Sequence, residues 1–102
     1  MLIKDACVND QDDSMIFVGS LGTAGIILKI GQTGDIQWAY KSTDAVNDSP
    51  AYSVACSLNT YAYLAGDTLS FPYLTAIAGN RVVYVVKYSI SNGDRMWVKS
   101  IQ

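Results

Sequence analysis

Two cysteines, two tryptophans and one acidic turn are the residues of this 102-residue chain whose types and spacing invite a chemical reading. Asn9-Asp10-Gln11-Asp12-Asp13-Ser14 gathers carboxylates in one short run. Calcium takes several oxygen ligands, so Asp10, Asp12 and Ser14 at alternate positions suggest a cation loop. The EF-hand pattern fails: Met15 stands where the loop glycine is required, and Leu21 where glutamate is required. The run therefore reads as a solvated hairpin turn. The chain has no His and no Glu, so neither a Ser/His/Asp nor a Cys/His set can be assembled. Zinc has no ligand set, and no Asp pair sits in a context that raises a pKa for acid-base work. The expectation is a protein that is not an enzyme, with no cofactor and no metal.

Cys7 and Cys56 each follow an alanine, and Trp38 and Trp97 each close a Gly-Asp-x-x-Trp motif. Repetition of a position across units is what packing demands, so both tryptophans are expected between sheets, each indole N–H on a backbone carbonyl. Sugar or cofactor stacking is the alternative. The cysteines read as equivalent positions on the first strands of adjacent sheets, about 10 Å apart. A disulfide needs a Cα–Cα separation of about 4.4–6.8 Å. Two small buried thiols are expected, with a disulfide to another chain as the alternative. Asn47-Asp48-Ser49 is a glycosylation sequon in a polar link, weakened by Pro50.

The elements that position these residues are strands. With no Glu, seven Tyr and eight Gly, helix formers are scarce and strand and turn formers plentiful. Half the residues are hydrophobic and 16% charged, enough to build a core. A net charge of −2 with scattered basic residues excludes a nucleic-acid surface and argues against an anionic membrane. No apolar run approaches the ~18 residues of a membrane span. Met1-Leu2-Ile3 runs directly into Lys4-Asp5, which is not a signal-peptide pattern.

The chain reads as two copies of one unit, residues 1–46 and 47–102. The first runs through Asp5-Ala6-Cys7-Val8, Met15-Ile16-Phe17-Val18-Gly19 and Gly25-Ile26-Ile27-Leu28-Lys29-Ile30 to Gly34-Asp35-Ile36-Gln37-Trp38. The second repeats the order with Val54-Ala55-Cys56-Ser57, Tyr61-Ala62-Tyr63-Leu64-Ala65-Gly66, Val82-Val83-Tyr84-Val85-Val86-Lys87-Tyr88 and Gly93-Asp94-Arg95-Met96-Trp97. Four apolar runs with turn residues between them predict a four-stranded antiparallel meander in each unit. The third runs are nearly continuous, so they are expected to be buried on both faces. An insertion at about residues 67–81 lengthens the second unit. It carries Phe71, Tyr73 and Leu74, the loop residues expected to touch a partner if any segment does.

A four-stranded unit closing on Gly-Asp-x-x-Trp resembles the quinoprotein-like, pyrroloquinoline-quinone-type β-propeller repeats. The resemblance covers nearly the whole chain and implies an all-β fold of two propeller-type blades. It also suggests an oxidoreductase, but the family's vicinal Cys-Cys pair and calcium-binding Glu have no counterpart here, so cofactor and activity do not carry over.

Two blades cannot close a propeller, which needs at least about four. Two apolar outer faces are therefore expected to lack cover, and such patches mark interfaces. Successive blades meet head to tail, which gives a ring if the rotation closes and a filament if it does not. The start near a first strand and the stop after a last one suggest whole repeats cut at their joints. The expected function is a structural module, packing on copies of itself or on neighbouring blades of a longer chain. A fibre or surface coat would suit it, since the Tyr- and Gly-rich, Glu-free composition fits a secreted or cell-surface material better than a cytoplasmic one. The alternative is a sugar-binding propeller closed by oligomerisation, with glycans as partners.

Overall fold

In the computed structural model, residues 2–22, 24–42, 50–57, 60–68 and 82–101 are described, and every regular element among them is a β-strand. β1 (Leu2–Asn9), β2 (Ser14–Leu21), β3 (Ala24–Ile30) and β4 (Ile36–Lys41) form one antiparallel sheet in chain order. β5 (Ala51–Ser57), β6 (Tyr61–Thr68), β7 (Val82–Ser89) and β8 (Arg95–Ile101) form the second in the same order. The fold is all-β, two four-stranded meanders, as the alternation of apolar runs and turns requires.

Turn chemistry sets each hairpin. In the β1–β2 turn, Asn9 Oδ1 accepts from the Gln11 amide and Asp12 Oδ1 from the Ser14 amide. Asp13 between them has φ of 57°, a left-handed conformation that Asp tolerates. The β3–β4 and β7–β8 turns close on similar backbone bonds, the second with one residue more: Gly31 N donates to Asp35 O and Ser89 N to Asp94 O, both at 2.8 Å. Gly34 and Gly93 take φ of 90° and 76°, where a Cβ would be strained.

Cross-strand register shows how far the repeat extends. Cys7, Ile16, Lys29 and Trp38 stand side by side across the first sheet. The corresponding row of the second sheet is Ala55, Tyr63, Lys87 and Trp97. Bulges fall at matching places, between Ile3 and Asp5 and between Ala51 and Ser53 on the first strands. They recur on the fourth strands, opposite Lys29 and Lys87, where Gln37 and Met96 are the extra residues. A bulge adds one residue and flips the faces beyond it, so two shared bulges fix the same side-chain parity in both sheets. At the first pair the chain crosses a glycine. A Cβ on Gly19 would strike the Leu2 carbonyl oxygen, and one on Gly66 the Pro50 carbonyl oxygen.

The sheets pack face to face, with β5 lying against β1, β2 and β3. Call the side of each sheet that carries the motif tryptophan its front and the other side its back. The core is the front of the first sheet, with Ile16, Val18, Ile27 and Trp38, packed on the back of the second, with Leu64, Tyr84, Val86 and Tyr88. All of these are buried. The expectation that the third strands are buried on both faces holds only in part in β3, where Ile27, Leu28 and Lys29 are consecutive buried residues but Ile26 and Ile30, on the same side as Leu28, keep exposed area. It fails in β7, which alternates: Tyr84, Val86 and Tyr88 are buried while Val83 is 47% exposed. Nothing among the described residues packs on the front of the second sheet, so only one side of β7 is covered.

Gly66→Ala drives a methyl group into backbone, and overpacking of this kind costs about 1–3 kcal/mol. Chemical denaturation should show that loss for Gly66→Ala. Ala55→Ser, on the uncovered front of the same sheet, should stay within about 0.5 kcal/mol of the parent.

Candidate functional site

The seam between the sheets is the most specifically built part of the molecule. Alternation along β4 sends Trp38 and Tyr40 to the front of the first sheet, onto the β7–β8 turn. Trp38 Nε1 donates to the Ile90 carbonyl oxygen at 2.9 Å in a buried setting, and its ring stacks with Tyr88 at 6.4 Å and 20°. Tyr40 OH reaches the Asn92 carbonyl oxygen at 3.4 Å. Both rings lie on Gly93, where a Cβ would come within 2.7 Å of the Trp38 ring. Gly93 is therefore required twice, for its φ and for the ring above it.

A hydroxyl network closes the other end. Tyr84 OH donates to the Pro50 carbonyl oxygen at 3.2 Å and lies 2.9 Å from Ser42 Oγ. A phenol has one proton to give, so Ser42 donates to Tyr84. Tyr88 OH donates to the Ser42 carbonyl oxygen at 3.2 Å. Burial pushes the Tyr84 phenol up from 10.0 to about 12; the Ser42 hydrogen bond opposes that rise, and the charge on Asp67 adds to it. Nearer β1, Asp5 Oδ2 accepts from the Val54 amide at 2.9 Å, a charged bond from one sheet to the other's backbone.

Cys7 and Cys56 form a disulfide across this seam, with Cα atoms 5.8 Å apart. This corrects the expectation of two buried thiols about a sheet spacing apart. The physical reason is parity. The row containing Cys7 and Trp38 corresponds to the row containing Ala55 and Trp97, so the equivalent of Cys7 is Ala55. Cys56 is one residue further and points to the opposite side of its sheet. Cys7 faces forward, Cys56 faces backward, and the two meet. Closing a loop across a sequence separation of 49 residues contributes roughly 2–4 kcal/mol by limiting the unfolded chain.

Trp97 does not join the seam. It sits partly buried on the front of the second sheet, 6.1 Å from the Tyr63 ring, with Lys99 Nζ 4.6 Å over its face. Lys87 Nζ lies 3.9 Å over Tyr61 on the same side. Its counterpart Lys29, covered by the second sheet, is only 4% exposed and pairs with Asp12 Oδ2 at 3.2 Å. The acidic turn thus serves that lysine. Asp12 is held below the usual carboxylate value, chiefly by hydrogen bonds from Ser14 and then by Lys29. Among the described residues no group of three or more metal-ligating side chains gathers, and no described helix is long and apolar enough to cross a membrane. Phe71, Tyr73, Leu74 and Asn47 lie outside the described residues.

An open cleft of about 310 Å³ lies where the sheets meet, lined by Tyr40, Lys41, Tyr88, Gly93, Asp94 and Arg95. Sequence reasoning missed it because Tyr40 and Arg95 are brought together only by the packing of one sheet on the other. No protein-family model matches the chain, and no curated protein matches it.

A group whose pKa is raised in the folded state stabilises the fold below its unfolded pKa, and that contribution is lost as pH rises toward the folded value. Tyr84 therefore predicts stability that falls between about pH 10 and about pH 12. Denaturation midpoints measured across that range should drop for the parent and drop less for Tyr84→Phe.

Proposed function

We propose that the chain is a non-catalytic structural module that assembles by head-to-tail packing of propeller-type blades, front face on back face. The single observation that carries this reading is the seam itself, which joins unlike faces of like sheets. Contacts between unlike faces leave a free face of each kind and so continue by addition. Among the described residues, the faces without a packed partner are the front of the second sheet, with Trp97, and the back of the first. On that back, Val8 is 48% and Met15 36% exposed, and Ile36, at its margin, is 66% exposed. Resemblance to quinoprotein-like propeller repeats supports the blade reading, and the absence of His and Glu supports a non-catalytic role. The disulfide favours an oxidising compartment, so we place the protein at the cell surface or in the extracellular space.

A second reading, a glycan-binding propeller, draws on the cleft at the seam, where Tyr40 offers an aromatic face beside Asp94, Arg95 and Lys41. Glycan-array binding that is lost in Tyr40→Ala would support it, and no binding by assembled protein would remove it.

Light scattering over a concentration series tests the main reading. Rings or larger species are expected for the parent. Trp97→Ala should remain folded, because Trp97 lies outside the seam, yet weaken association about 30-fold or more, as loss of a central aromatic anchor worth ~2 kcal/mol does. A folded monomer at every concentration would refute the proposal.

A further inference from the structure

We infer that the partner of the Trp97 face is the back of the first sheet of a second copy, in the register of the internal seam and without a covalent link. This rests on the assembly reading above and adds which surfaces meet, residue against residue. The argument comes from comparing each covered position with its uncovered counterpart. Ile90, which accepts the Trp38 indole bond, is 1% exposed. Counted from the paired lysines Lys29 and Lys87, its counterpart is Gln32, two residues beyond β3, which is exposed. Gly93 lies under the Trp38 and Tyr40 rings, whereas a Cβ on its counterpart Gly34 would meet nothing within 4 Å. Behind the second sheet, Ala62 and Leu64 are fully buried. Their counterparts Met15 and Phe17 keep exposed area. The first sheet thus presents the turn and apolar back that the second uses to receive a tryptophan, and Trp97 is the tryptophan not yet received.

Carried across to two copies, the internal register sets Trp97 of one on the turn at Gln32 and Gly34 of the other. It also sets Ala55 against Val8, since these are the counterparts of Cys7 and Cys56. The join between copies has no thiol on either side, whereas the two sheets within a chain are stapled. The disulfide-locked pair of sheets is therefore the unit of assembly, and units associate reversibly.

Single-cysteine additions test the register directly. Ala55→Cys and Val8→Cys project from opposite outer faces of one chain, so any bond between them joins two copies. The two variants, separately tagged, are mixed and oxidised with glutathione disulfide, after mass analysis confirms that Cys7–Cys56 remains intact. The expected product is a covalent heterodimer, at least several-fold in excess over either homodimer and cleaved by reductant. Predominant Ala55→Cys homodimers would mean that fronts pair with fronts, and predominant Val8→Cys homodimers that backs pair with backs. Either overturns the inference. Parent protein that assembles by light scattering, with no cross-link in the mixture, would overturn the register while leaving assembly standing. Absence of both assembly and cross-link would overturn the two together.

Discussion

The indole of Trp38 lodged between two sheets, with its N–H on the Ile90 carbonyl, is the contact on which the rest of this structure depends. It explains why the closing turn of the second unit carries glycine at position 93. It also explains why Tyr88 lies flat beneath that ring and why Lys29, on the same row, is buried against Asp12. A lysine is not buried without a partner except at considerable cost, so the acidic turn and the seam belong to one design. The Cys7–Cys56 bond then pins the first strands of the two sheets, β1 and β5, together.

Strand parity is the constraint that turns this contact into a functional proposal. Because side chains alternate, each sheet has a tryptophan side and an opposite side, and shared bulges keep the sides in step between the two units. The seam joins unlike sides. Among the described residues, one sheet therefore turns its back outward and the other its front. The Lys99 and Lys87 amines lying over Trp97 and Tyr61 give the open front an amphipathic cover. Loops are where such scaffolds usually place recognition, but the described features that distinguish this chain lie on its sheet faces and at the seam.

Much of the architecture was legible in the sequence, because turn residues and apolar runs are local signals. Gly34-Asp35 and Gly93-Asp94 marked the closing turns, and the Gly-Asp-x-x-Trp motif placed Trp38 and Trp97 on the fourth strand of each unit. The pairing of the cysteines was not legible. Ala6-Cys7 and Ala55-Cys56 look like one repeated dipeptide, yet the register of each hairpin puts Cys7 level with Trp38 and Cys56 one step off the level of Trp97. A shift of one residue reverses the face, and that register depends on how each turn folds, which the apolar pattern does not state. The cleft at Tyr40 and Arg95 was hidden for a related reason, since it exists only once the sheets have packed.

Non-reducing peptide mapping of the purified chain tests this account most directly. Trypsin should release residues 5–29 and 42–81 as one disulfide-linked species from the monomeric unit, with no free thiol. That result would establish that the front of the first sheet meets the back of the second. Free thiols at both positions, or Cys7 joined to Cys7 of another chain, would contradict it and remove the basis for head-to-tail packing.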